Sequence, residues 1–180
     1  MVSVHGGGLK APLLVWALAV AFLLLVASLL IGAFSKPDFP PYALGAHADG
    51  TYTLDASRSD EWRWWGDLGF RRNHVITAPG TAALDLGPVS FDSTTEVPAE
   101  GYVATTFEAD TTNPAIGKWY DYSMWSHLLT SRHHVYAVRT RSGELVALEI
   151  LAYYCREVGA ACYTVRRKTT RPRPASSGVR

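Results

Sequence analysis

The chain has 180 residues, with 17 Lys+Arg against 16 Asp+Glu and a formal net charge of +1. That length is enough for one domain with a sizeable core, and the near-neutral balance singles out no class of partner. Six Trp and nine Tyr are many for this length, and both residue types favour strands and interfaces.

Residues 1–10 form a short head. From Ala11 to Phe34 the sequence reads APLLVWALAVAFLLLVASLLIGAF, with no charge. A helix rising about 1.5 Å per residue over this run can cross a hydrocarbon core of roughly 30 Å. The run is longer than the h-region of a secretory signal, and Gly32-Ala33-Phe34 is a poor cleavage site, so an uncleaved anchor is expected, with a signal peptide as the alternative. Lys10 before the span and Lys36 after it nearly balance the positive-inside count. The short head and long aromatic remainder predict a single-pass layout with the domain on the extracytoplasmic (periplasmic or outer) side.

Residues 35–50 hold Pro37, Pro40, Pro41, Gly45 and Gly50 and read as a linker. A β domain is expected over residues 51–168. Thr51–Asp55 alternates, with Tyr52 and Leu54 on one side. Trp62 and Trp64 alternate up to Gly66, read as a bend or bulge, and the pattern resumes at Leu68 and Phe70. Asn73 to Thr77 is a further strand. Thr81 to Pro114 is loop-rich, with short strands at most. Aromatic alternation returns around Trp119 and Tyr122, and residues 123–129 suit either a strand or a short helical turn.

Residues 133–167 are the clearest stretch. Three apolar, β-branched and aromatic runs are separated by Arg141-Ser142-Gly143-Glu144 and Glu157-Val158-Gly159-Ala160, which predicts a β-meander. Cys155 and Cys162 flank its second turn near facing positions. A disulfide is expected there, with two buried thiols as the alternative. Arg166, Arg167, Lys168, Arg171, Arg173 and Arg180 are basic with no acid among them. Residues 169–180 have no apolar period and are expected to be a disordered basic tail. The fold class is therefore mostly β, an antiparallel sheet or sandwich with a C-terminal meander behind one N-terminal transmembrane helix.

No G-x-S-x-G, P-loop, HExxH or EF-hand pattern occurs, and no nucleophile–base spacing suggests an enzyme. Asp67 reads as a hydrogen-bonded structural carboxylate. Of the six His, His5 and His47 lie in the flanks, leaving His74, His127, His133 and His134 as possible ligands with Met124. Adjacent strand residues point to opposite faces, so His133 and His134 are not expected to share one metal. Trp62, Trp64, Trp65, Trp119 and Trp125 suit a sheet core better than a ligand pocket.

Trp62, Trp64, Asp67, Leu68, Phe70 and Arg71 resemble the Trp-Asp-Leu-Ala-Phe-x-Arg segment of HmuY-like proteins. Val135, Tyr136, Val138, Arg139, Thr140, Gly143, Ile150, Tyr153, Tyr154, Tyr163 and Thr164 resemble that family's C-terminal segment. The resemblance covers about residues 50–168 and implies a mostly β domain of the cell envelope. Known members include surface haemophores that hold haem between two His or Met side chains. It therefore implies haem, or a related tetrapyrrole, as the cofactor. The family's ligand-bearing middle region has no match here, since residues 78–118 contain neither His nor Met. The candidate ligands are thus His74, Met124, His127, His133 and His134. No lipoprotein Cys follows the apolar run. The expected function is a membrane-anchored envelope binding protein, with a cofactor-free interaction module for protein or glycan partners as the alternative. The expected partners are the membrane, through residues 11–34, a tetrapyrrole and an envelope protein. Nucleic acid is not expected.

Overall fold

The computed structural model describes residues 11–34, 49–58, 60–107 and 111–173. The head, most of the expected linker, His5, His47 and residues 174–180 lie outside the described residues.

Helix α1 is Ala11–Phe34. Its stretch Leu13–Ile31 has 19 residues, a mean hydropathy of 2.9 and no part buried. At 1.5 Å per residue that is about 28 Å, close to the hydrocarbon thickness of a bilayer. Length and composition allow it to cross a membrane. A signal sequence has the same properties.

The strands are β1 (Gly50–Asp55), β2 (Arg63–Trp65), β3 (Leu68–Arg71), β4 (His74–Thr77), β5 (Ala82–Asp85), β6 (Glu96–Val97), β7 (Tyr120–Tyr122), β8 (Leu129–Ser131), β9 (Val135–Arg139), β10 (Leu145–Cys155) and β11 (Gly159–Pro172). The main sheet runs β1-β11-β10-β9-β5, all antiparallel, and short β6 pairs in parallel with the end of β11. The predicted meander is β9-β10-β11, with Gly143 at φ 85° and Gly159 at φ 83° in its turns. Only glycine adopts such angles without cost.

Two local features differ from expectation, and residues 123–128 take the turn alternative expected of them. Gly66 is not a bulge in one long strand. With Asp67 it forms a two-residue turn that pairs Trp65 with Leu68, so β2, β3 and β4 make a separate three-stranded sheet. Gly66 sits at φ 56°, the positive angle that tight hairpins demand. Residues 123–128 form a turn closed by Ser123 and His127, and the chain then returns as strand β8. The last strand outruns the predicted domain boundary. Thr169 and Thr170 pair with Val146 and Leu145, and Arg171 and Pro172 pair with Glu96 and Val97. Pairing there is made by backbone and needs no apolar period, so composition alone misread residues 169–172 as tail.

The described residues divide into two compact units. One holds α1 and the loop Ser123–Leu128, and the other holds the strands. Within the strand unit the period of two buries both faces of β10. Leu148 and Ile150 join the main core with Phe70, Trp119, Tyr136 and Tyr163, while Ala147 packs with Val135 and Phe91 on the opposite face. Trp119 is fully buried and donates its indole N–H to the Asn73 carbonyl at 3.0 Å. The Tyr163 hydroxyl donates to the Arg72 carbonyl at 2.6 Å. These two bonds fasten the β3–β4 turn to the core rings. Burial pushes the Tyr163 hydroxyl well above its usual pKa, and neighbouring Tyr153 adds to the shift. Buried Asn113 ties the segment after residue 110 to Val103 and to Thr77 at the end of β4. Its amide donates to the Val103 carbonyl at 3.1 Å, and its oxygen accepts from the N–H groups of Ala115 and Ile116. A Cβ at Gly117 would lie 2.6 Å from the Asn113 carbonyl oxygen, which is why that turn needs glycine.

Cys155 and Cys162 form the expected disulfide. They are not directly opposed, because Cys155 pairs with Gly159 across the turn. Register shifts within β10 and β11, together with Ala161 at φ 61°, bring their Cα atoms to 5.5 Å.

Candidate functional site

One face of the meander gathers most of the polar chemistry. Glu149 lies mid-strand in β10, opposite Val135 on β9 and Arg166 on β11. Its side chain is 6% exposed. A buried carboxylate needs partners, and it has two. Arg166 holds Oε2 at 2.7 Å, and the His133 Nδ1 lies 3.2 Å from Oε1. Arg166 also reaches Asp92 at 3.2 Å and lies 4.3 Å over the Phe91 ring, with Lys168 at 5.0 Å from that ring. Arg167 is paired with Asp49 and Glu144. The basic run at the chain's end is therefore largely neutralised within the sheet at its start and is not a free cationic surface.

His133 sits at φ 53°, a left-handed conformation that non-glycine residues rarely adopt. Its backbone N–H is held by Ser131 Oγ at 3.0 Å, and the Ser131 hydroxyl in turn donates to the Ile150 carbonyl. With Nδ1 on Glu149 and the side chain 60% exposed, the second ring nitrogen is left for a ligand. An iron- or zinc-binding imidazole is oriented in just this way, by a carboxylate on its other nitrogen. His134 uses a different carboxylate. Its Nδ1 is 3.0 Å from both oxygens of Asp85, and its side chain is 16% exposed. The two neighbours therefore face different carboxylates, but not by strand alternation: β9 begins only at Val135, and His133 is left-handed.

The remaining candidates lie elsewhere. His74 begins β4 and lines a cleft of about 230 Å³ with Asn73, Thr111, Pro114, Lys118 and Tyr120. Met124 and His127 belong to the loop Ser123–Leu128. Among the described residues no group of three His, Cys, Asp or Glu could hold a metal ion. Of the tryptophans, Trp65 and Trp119 are core, while Trp64 and Trp125 are about half exposed. Trp62 lies under the Arg71 guanidinium at 4.5 Å. Asp67 has the structural role expected of it, accepting the Arg141 N–H at 2.9 Å.

A tetrapyrrole needs an iron ligand and an apolar slot. His133 offers an exposed imidazole whose Nδ1 is tied to Glu149. The slot is not formed beside it among the described residues. The His74 cleft, and a second of about 180 Å³ lined by Trp65, Asp67, Val138, Val146 and Arg167, fall below the roughly 300–1,000 Å³ that encloses a drug-sized molecule, while two larger ones, about 450 Å³ beside Leu86, Val89 and Pro98 and about 430 Å³ beside Asp55, Trp62 and Trp64, are lined by none of the five candidates. None of these clefts brings two of the five candidates together.

No family model matches the chain. No curated protein matches it in sequence. Its structure matches that of a protein from Bacteroides vulgatus described as a candidate HmuY-like heme-binding protein. The TM-score is 0.55 at 16% identity, covering 73% of this chain and 97% of the other. The fold is HmuY-like. A candidate lipoprotein from Bacteroides fragilis matches equally, with TM-score 0.55, 16% identity, 70% of this chain and 93% of the other. The HmuY-like scaffold agrees with the resemblance carried by the residues around Trp64 and by the meander.

Sequence reasoning named His133 and missed what makes it distinctive. Glu149 is 16 positions away and reads as an ordinary polar residue in an apolar run. Its one signal was a lone carboxylate inside a strand whose neighbours Leu148 and Ile150 are core.

Proposed function

We propose that this chain is an envelope binding protein, anchored in a membrane by α1, which displays its HmuY-like β unit on the extracytoplasmic side and binds haem or a related tetrapyrrole through His133. It acts as a binding protein and not as an enzyme. The apolar helix supports the anchor, and the Cys155–Cys162 disulfide supports an oxidising compartment. The observation that carries the ligand reading is His133 itself, constrained at φ 53°, tied through Nδ1 to a buried carboxylate and otherwise exposed. His133 would hold the iron on an open face, with its imidazole kept in one tautomer by Glu149.

The test is an absorbance titration of the full chain in detergent with haemin. The expected result is a saturable Soret shift at one equivalent that is lost in His133→Ala and kept in His74→Ala, Met124→Ala and His127→Ala. A shift unchanged by His133→Ala overturns the assignment. A second reading, an envelope interaction module without a cofactor, is favoured because none of these clefts is lined by two of the five candidates. The absence of any saturable shift supports that reading.

A further inference from the structure

The loop Ser123–Leu128 is the most apolar exposed feature outside α1. Its sequence, Ser-Met-Trp-Ser-His-Leu, carries no Asp, Glu, Lys or Arg. Met124 is 76% exposed and Trp125 55%, and Tyr122 just before them is 48% exposed. One exposed apolar side chain needs no explanation, but three large ones within four residues of a hairpin tip do. The tip is not slack. Ser123 N–H donates to the Leu128 carbonyl at 2.9 Å, His127 N–H to the Ser123 carbonyl at 2.8 Å and Ser126 N–H to the Ser123 hydroxyl at 3.2 Å. His127 closes the turn at φ 55°. The loop thus satisfies three of its own backbone N–H groups while leaving Met124 and Trp125 outward. A peptide segment that enters a low-dielectric layer must do the first, and one that gains by entering must do the second. The loop also falls in the same compact unit as α1.

We infer that this loop is a second membrane contact, with Met124 and Trp125 seated in the interfacial layer of the bilayer that α1 crosses. Trp and Tyr are the side chains that settle at that depth, with the apolar ring inward and the polar edge towards the headgroups. The uncharged tip points to a neutral lipid surface and not to anionic headgroups. The inference rests on the anchor proposed above.

Both native cysteines are in the disulfide, so one nitroxide label can be placed on an introduced cysteine. Full-length chains with Ser126→Cys, Ser142→Cys or Ala21→Cys are reconstituted into phosphatidylcholine nanodiscs. Each label's relaxation is then read with oxygen, which partitions into lipid, and with a water-soluble nickel chelate. The expected result is oxygen-dominated relaxation at 21 and 126 and nickel-dominated relaxation at 142, in the exposed β9–β10 turn. A label at 126 as open to nickel as that at 142 overturns the inference. If 21 still reports lipid in that case, the anchor stands without the loop contact. If 21 also reports water, the anchor fails with it. Protection at 126 that appears only after haemin is added assigns the loop to the tetrapyrrole and likewise overturns the inference.

Discussion

Replacing Glu149 by Ala tests both the stability and the ligand geometry of the meander. The carboxylate is 6% exposed and holds Arg166, itself 28% exposed, at 2.7 Å. Removing one partner of a buried pair typically costs about 3–5 kcal/mol, because the other charge is left in a poor environment. Arg166 retains Asp92 and some solvent, which places the expected loss near the lower end, about 3 kcal/mol. The His133 link adds little to this figure, since that side chain is 60% exposed. The assay is urea unfolding followed by Trp fluorescence, with Glu149→Ala, Arg166→Ala and the double variant forming a cycle. The double variant should lose clearly less than the sum of the two singles. A Glu149→Ala cost under about 1 kcal/mol, the value of an exposed pair, or strict additivity would refute the reasoning. The same variant frees the His133 ring, so its haemin affinity should fall even where the protein remains folded.

Two further outcomes follow from the core. Burial raises the Tyr153 hydroxyl from 10.0 to about 12, with neighbouring Tyr154 adding to the shift. The folded state holds Tyr153 neutral, so its contribution is complete below pH 10.0 and is lost as pH rises through about 12. Unfolding midpoints measured across that window should fall steeply in the native chain and less steeply in Tyr153→Phe; equal slopes would contradict the shift. The disulfide closes a loop with a sequence separation of 7. Chain entropy then gives about 2.5 kcal/mol, so a Cys155→Ser, Cys162→Ser chain should be less stable by that amount in the same assay, and no change would show that the bridge constrains nothing.

Much of the strand unit was legible because its clearest signals are local. The meander announces itself through three apolar runs and glycines at its turns, and Gly143 and Gly159 do sit at positive φ. The β2–β3 hairpin was harder to see. Each strand is so short that alternation through Trp62 and Trp64 reads on past Gly66 as one bent strand. Residues 169–172 were missed for another reason, since Pro172 and its neighbours are held by a parallel partner far away in sequence. The site was legible only in its residue names. Whether His133 is oriented depends on the sign of one φ angle and on a carboxylate that pairs from the neighbouring strand. Neither leaves a mark on periodicity.

The two faces of β10 separate the packing that makes the HmuY-like fold from the proposed His133 site. One face, with Leu148 and Ile150, packs on Trp119, Tyr136 and Tyr163 and sets the scaffold. Leu68, Phe70, Tyr136, Val138, Ile150, Tyr153 and Tyr163 of the sequence resemblance belong to that core, while Val135 lies on the other face. The other face, with Ala147 and Glu149, meets Val135, Phe91 and Arg166. Segment 86–97 covers this face through the Phe91 ring beneath Arg166 and Lys168, the Asp92 link to Arg166, backbone bonds of Leu86 and Gly87 with Val135, and the pairing of β6 with β11. Changes there alter which groups hold Glu149, and hence how His133 is presented, without touching the packing that defines the fold. Similarity in the scaffold therefore does not fix the residues around the proposed His133 site. The functional question for this chain turns on the Glu149–His133 face more than on the aromatic core.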